Sequence, residues 1–219
     1  MAKKTKTEAE LLKEKLFYER KNALSDVTEK SEKEITEYAE NYKKFLDAAK
    51  TERESVEFAI NYAKENGFKE FEYGKKYKAG DKIYYNNRDK SIYLVVIGKE
   101  NIEKGVSIAA AHIDSPRIDL KQCPLYEDSG MAFFKTHYYG GIKKYQWTAI
   151  PLALHGTIAL KGGKKIDLSI GEKQEDPVFY ITDLLPHLGK DQMANTGSKI
   201  IKGEGLNILV GSKPYPGEK

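Results

Sequence analysis

Val106-Ser107-Ile108-Ala109-Ala110-Ala111-His112-Ile113-Asp114 is the stretch on which the reading of this chain turns. Its first six residues, following Gly105, form an apolar run that predicts a strand. That run delivers the chain to a histidine and an aspartate two residues apart. The ends of buried strands are where α/β folds place ligands, so the position bears on chemistry as well as on architecture. Just upstream, Tyr93-Leu94-Val95-Val96-Ile97 shows no polar alternation, which predicts a strand buried on both faces, as strands covered by helices are. It belongs to a β-rich run from Ser91 to Gly98, paired on this reading with Lys82 to Asn86 across the polar hairpin loop Asn87-Arg88-Asp89-Lys90.

Toward the N-terminus the period lengthens. Apolar residues recur at three- and four-residue spacing through Leu11, Leu12, Leu16 and Phe17, then through Ile35, Tyr38, Tyr42, Phe45 and Leu46, with charge on the opposite face. Asp26 and Thr28 are N-cap candidates for the second pattern. Thr51 with Glu54 three residues on resembles a capping box for a third helix through Val56, Ala59, Ile60 and Ala63, and Gly67 is its C-cap candidate. No a/d heptad persists over several repeats, so the helices read as an amphipathic scaffold rather than a coiled coil.

Beyond Pro116 the pattern is β-like over Met131 to Tyr139, Thr148 to Leu160, Lys165 to Ile170 and Val178 to Ile181, with Gly140-Gly141 and Lys161-Gly162-Gly163-Lys164 as turn signals. Asp183 to Gly189 reads as a short turn or loop, and Leu206 to Val210 as one more strand before Pro214 and Pro216. The expected organisation is a helical and α/β segment over 1–120 and a β-rich segment over 121–219.

Composition bounds the function classes. Thirty-seven Lys and Arg against 33 Asp and Glu leave a net charge of +4, interleaved along the 219 residues, so neither nucleic acid nor another polyanion is an expected partner. Cys123 is the single cysteine, which rules out an intramolecular disulfide and a cysteine zinc site and fits a reducing cytoplasm. The basic start, Met1 to Lys6, leads into no apolar stretch, and no segment approaches the ~20 apolar residues of a membrane span. Secretion through a standard signal and membrane insertion are not expected.

His112 and Asp114 are the sharpest chemical feature. Residues two apart on a strand share a face, so the carboxylate can bond one imidazole nitrogen while the other binds a metal. By itself the spacing also suits a hydrogen-bonded core pair or surface residues. A catalytic zinc needs about three protein ligands, and His137, His155 and His187 stand at no paired-ligand spacing. His137 and His155 lie in strand-like segments and read as satisfied or edge-exposed; His187, between Pro186 and Gly189, lies in a loop, where function concentrates. Ser115 lacks a nucleophile elbow, Cys123 has no nearby activating histidine, and Gly140-Gly141 before Lys143-Lys144 lacks Walker spacing. The aromatic and basic stretch from Phe68 to Lys90 is diluted by Glu70, Glu72, Asp81 and Asp89, so its tyrosines read as half-buried strand residues rather than a single-strand nucleic-acid platform.

Ala111-His112-Ile113-Asp114-Ser115-Pro116-Arg117-Ile118-Asp119-Leu120-Lys121, then Pro124-Leu125-Tyr126-Glu127, then Lys135-Thr136-His137-Tyr138-Tyr139-Gly140-Gly141-Ile142, resemble the zinc aminopeptidases that include aspartyl aminopeptidase and vacuolar aminopeptidase I, in their bacterial form. The resemblance extends more loosely from the N-terminal helices to Leu206-Asn207-Ile208-Leu209-Val210. It implies an α/β catalytic domain, incomplete here and preceded by N-terminal helices, followed by an inserted β-rich dimerisation domain within a larger dodecamer. It further implies His112 as a metal ligand, Asp114 as the carboxylate that orients it, and His187 as a substrate-binding residue directed toward a neighbouring subunit. The implied cofactor is zinc, two ions per complete site, with cobalt and manganese as alternatives. The implied reaction is hydrolysis of the N-terminal residue of a peptide: the metals polarise the carbonyl and lower the pKa of a water whose proton a glutamate takes.

The same resemblance implies a second catalytic segment, after the β-rich domain, carrying an aspartate bridge, two glutamates, a further aspartate and a last histidine. Nothing from Pro214 to Lys219 replaces those ligands. The expectation is therefore the N-terminal portion of a metalloaminopeptidase, inactive as an isolated chain. The competing expectation is a non-catalytic oligomerisation module or remnant of such an enzyme, which binds no zinc tightly. A third, an RNA-binding β domain, lacks an assignable basic face.

Overall fold

The computed structural model describes residues 6–18 and 20–213, and the chain falls into two compact units, Met1–Asp47 and Ala48–Lys219. The basic start before Lys6 and the expectations placed on Pro214 to Lys219 lie outside the described residues. In the first unit, helix α1 runs over Glu8–Leu16 and is opened by a capping box between Thr7 and Glu10. Helix α2, Glu29–Ala48, begins where the Thr28 hydroxyl accepts the Ser31 amide at 3.2 Å. Of the two cap candidates, Thr28 does the work. The apolar stripe expected on these helices is present, and Leu11, Leu16, Ile35, Tyr38 and Tyr42 along it are exposed.

The second unit opens with helix α3, Glu52–Glu65. Thr51 and Glu54 form the expected box, and Gly67 at φ +82° ends the helix, with its amide on the Lys64 carbonyl and that of Phe68 on Ala63. Strands β1 (Lys69–Glu70), β2 (Lys82–Asn87) and β3 (Ser91–Val96) form a sheet in that order, β1 parallel to β2 and β2 antiparallel to β3. Arg88 and Asp89 both take positive φ in the connecting turn, and Asn86 holds the Asp89 amide at 2.9 Å. Helix α3 packs on β2 and β3, with Val56, Ala63, Ile83 and Tyr84 buried.

Two expectations fail in this half. Tyr93, Leu94, Val95 and Val96 keep 43–57% of their surface exposed rather than being buried on both faces. The segment 106–111 is not a strand: its backbone pairs with no described strand, and Val106 and Ile108 are exposed at 62% and 79%. The cause is the same in both places. An apolar run records a surface that water disfavours, but a strand and a buried face exist only where a partner supplies hydrogen bonds and contact.

The β-rich half buries a cluster of its own, although Leu125, Val178, Leu185 and Leu188 stay exposed. Strands β4 (Arg117–Asp128), β5 (Met131–Tyr139) and β8 (Ile208–Gly211) form an antiparallel sheet in the order β4-β5-β8. Strands β6 (Leu154–Ala159) and β7 (Lys165–Ile170) form a separate hairpin. β4 shifts register between Leu120 and Leu125, where Cys123 takes φ +50° before Pro124, a residue with no amide to donate. Ile181, Ile201 and Leu206 form the buried cluster, with Ile118, Tyr138, Trp147 and Leu152 packed around them. The buried Thr136 hydroxyl donates to the Leu206 carbonyl. Val178 to Ile181 contributes bridges rather than a strand: Phe179 pairs with Leu152, Tyr180 with Leu209 and Ile181 with Thr148. After a loop from Asp183, a short helix α4 spans Lys190–Met193.

Candidate metal centre

β4 and β5 bring together two stretches that the sequence separates by about twenty residues. Arg117 opens β4 and pairs with Tyr139, the last residue of β5, so the segment from His112 to Pro116 runs in beside Tyr139-Gly140-Gly141. Gly140 has φ +77°, and a Cβ on it would stand 3.4 Å from three carbons of Pro116. Gly140 is therefore a packing and turn position.

His112 turns its Nδ1 toward Asp114, 2.9 Å from the backbone carbonyl and 3.3 Å from Oδ1. A carbonyl only accepts, so Nδ1 carries a proton, which leaves Nε2 as the ring nitrogen outside this bond. The ring is 83% exposed, and Nε2 has no protein partner among the described residues. The other carboxylate oxygen, Oδ2, accepts from the Tyr139 hydroxyl at 2.7 Å. That bond, with the His112 ring beside it, holds the Asp114 carboxyl below the usual carboxylate range and raises the Tyr139 phenol. The Arg117 guanidinium lies 4.3 Å from the centre of the Tyr139 ring. Its Nε donates to Asp119 at 2.8 Å, and its Nη2 stands 3.5 Å from Glu52 on the first turn of α3.

This donor set fits one ligand position of a zinc site: an imidazole with one nitrogen free and the other bonded to a carboxylate-bearing residue. It does not make a centre. No group of three or more His, Cys, Asp or Glu that could hold a metal ion is found among the described residues.

The remaining candidates lie apart. His187 is exposed, in a loop where the Leu188 and Gly189 amides close on the Leu185 carbonyl, and no described hydrogen bond or ion pair joins it to His112 or Asp114. His137 stacks on Tyr138. His155 is a satisfied histidine, with Nδ1 2.8 Å from Glu54 and Nε2 2.8 Å from Glu172. Burial opposes its charge, but the two carboxylates outweigh burial and raise its pKa. Cys123 is exposed. The aromatic stretch forms a ring cluster, Phe71 stacked on Tyr77 with Tyr73 and Tyr85 edge-on, beside an apolar cavity of about 310 Å³. Sequence reasoning assigned Tyr139, Arg117 and Glu52 no role. The available signal was the alternation Arg117-Ile118-Asp119-Leu120-Lys121, which marks a strand whose register would have set Arg117 opposite Tyr139.

Residues 45–214 match the family model described as aminopeptidase I zinc metalloprotease (M18). The chain is 47% identical over 203 residues to the "Probable M18 family aminopeptidase 1" of Clostridium acetobutylicum, a match covering 91% of this chain and 44% of that one. The crystal structure of an M18 aminopeptidase from Thermotoga maritima superposes with a TM-score of 0.82 at 41% identity, over 93% of this chain and 44% of that one. The S. cerevisiae mApe1 dodecamer shares the fold at 16% identity, with a TM-score of 0.56 over 83% of this chain and 49% of that one. The chain thus spans under half the length of these relatives.

Proposed function

The chain belongs to the M18 family of aminopeptidase I zinc metalloproteases, and from that premise we propose that it is the N-terminal portion of an enzyme that hydrolyses N-terminal residues from peptides. The observation that carries the proposal is the orientation of His112, with Nδ1–H held by Asp114 and Nε2 turned outward, inside the segment the family model matches. His112 is the metal ligand of this chain and Asp114 the residue that fixes its tautomer. Two zinc ions, when bound at a complete site, supply Lewis-acid polarisation of the scissile carbonyl and acidify water. The remaining ligands and the proton-accepting glutamate belong, on this reading, to the second catalytic segment that the resemblance implies. On this reading residues 1–120 are the front of the catalytic domain and 121–219 an oligomerisation domain. His187 reaches a neighbouring subunit's substrate from the exposed loop it occupies. No described helix is long and apolar enough to cross a membrane, and a cytoplasmic, self-associating protein is the setting proposed.

The test has two arms. The isolated 219-residue chain is given zinc and an aminoacyl chromogenic substrate, and the same residues are assayed within a chain of the relatives' length. The expected result is no turnover in the first, and in the second a zinc-dependent turnover that His112→Ala abolishes. A full-length chain that binds no zinc would replace the enzyme with an assembly module. Turnover by the purified isolated chain would refute its dependence on further ligands.

A further inference from the structure

We propose that Tyr139 is a positioning residue for His112, acting through Asp114, and that it is the end of a relay that begins at Glu52 on α3. The inference rests on the reading of His112 as a metal ligand. An imidazole on an exposed backbone segment is free to rotate and to exchange its proton between nitrogens, and either freedom costs a ligand its directed lone pair. His112 sits on such a segment, outside any strand and 83% exposed, so the neighbouring sheet must supply the constraint.

Asp114 cannot supply it alone. Its side chain is itself partly exposed, and a carboxylate with one bonded oxygen can swing into water. The Tyr139 hydroxyl, 2.7 Å from Oδ2, takes up the oxygen facing away from His112 and leaves Oδ1 3.3 Å from Nδ1 beside the carbonyl at 2.9 Å. Tyr139 in turn is held from behind. Its backbone is the partner of Arg117 in the β4–β5 ladder, and the Arg117 guanidinium lies 4.3 Å from its ring centre. Arg117 is fixed by Asp119 at 2.8 Å and faces Glu52 at 3.5 Å, which Lys90 also approaches at 3.7 Å. The run of contacts ends at Glu52, on the first turn of a capped helix. The geometry thus gives the Tyr-Gly-Gly segment a physical reason to accompany His-Ile-Asp-Ser-Pro-Arg. Gly140 lets the backbone approach Pro116, and Tyr139 reaches Asp114 from there.

The test substitutes Tyr139→Phe, which keeps the ring and its cation partner and removes only the hydroxyl. Imidazole ¹⁵N–¹H correlation spectra of the 219-residue chain at about pH 8.5, some two units above the ordinary imidazole value, report the His112 tautomer directly. The wild type is expected to be mainly Nδ1–H. In the variant the ratio of Nδ1–H to Nε2–H should fall about fivefold, the weight of one ordinary hydrogen bond, with the β4 and β5 amide resonances unmoved. Equal ratios in the two proteins, or a wild type with no Nδ1–H preference, overturn the proposal. Loss of the β4–β5 pairing in the variant overturns it as well, by making Tyr139 a residue of the fold. The readout needs neither metal nor turnover. A tautomer shift together with a full-length chain that binds no zinc would therefore sink the aminopeptidase reading and the ligand role of the ring, while the orientation of the ring by Tyr139 would stand.

Discussion

The two three-stranded sheets of the second unit carry apolar sequence of similar strength and use it in opposite ways. Around β4-β5-β8 the chain folds back on itself: Ile181, Ile201 and Leu206 retain 0–7% of their surface, and the buried Thr136 hydroxyl has its acceptor. Around β1-β2-β3 one helix covers the strands, while β3 and the neighbouring segment 106–111 present valines, leucines and isoleucines to solvent. The difference teaches that hydrophobic patterning specifies a requirement for cover, and that only local topology decides whether the same chain meets it. The exposed region is also the one that leads into His112 and Asp114. The relatives, more than twice as long, share both regions.

That contrast predicts unequal mutational costs. Leu206→Ala should destabilise the second unit by about 3 kcal/mol, within the ~2–5 kcal/mol typical of fully buried leucines, because it removes side-chain contact and opens a cavity the cluster cannot refill. Urea unfolding followed by circular dichroism measures it. A cost under about 1 kcal/mol would mean that this core is as loosely covered as β3 is.

Next in size is the clamp between the two regions of this unit, where His155 of β6 bridges Glu54 of α3 and Glu172 beyond β7. With both nitrogens on carboxylates the ring is an imidazolium, and its folded pKa lies above its unfolded one. The sign follows. The stabilisation is complete below the ordinary histidine value of about 6.5 and is lost as pH rises through the raised folded value. His155→Gln should cost about 1–2 kcal/mol near pH 6 and progressively less above it, so the stability curves of wild type and variant converge in alkali. Curves that stay parallel would show that His155 acts by packing alone. Thr51→Ala, which opens the same helix end, should cost about 1 kcal/mol at any of these pH values.

Legibility in the sequence followed the same divide. The capping box at Thr51 and Glu54, the bounds of β5 and β7, and the hairpin of β2 and β3 were readable because each depends on residues a few positions apart. β4 was passed over although Arg117 to Lys121 alternate cleanly, because the register shift and Pro124 interrupt the pattern midway. The burial of β3 and the strand over 106–111 were misread, since both require a neighbour that no local pattern announces. At the candidate site, the closeness of His112 and Asp114 follows from their two-residue spacing, although neither lies on the strand that the spacing argument assumed, whereas Tyr139 could be found only through the register of β4 against β5.

The smallest predicted effect is the most informative about the uncovered sheet. Val95 lies in the middle of β3, 43% exposed, and pairs with Ile83. Val95→Thr keeps the β-branched shape and the strand propensity while replacing a methyl with a hydroxyl. In the 219-residue chain that hydroxyl meets water, so stability should move by no more than about 0.5 kcal/mol. Within a chain of the relatives' length the same substitution reports on cover. If further polypeptide packs on β3, the hydroxyl is buried without a partner and the cost rises to about 1–3 kcal/mol. Equal and negligible costs in the two lengths would mean that β3 stays solvent-facing, and that the lack of polar alternation from Tyr93 to Ile97 answers to something other than packing within one chain.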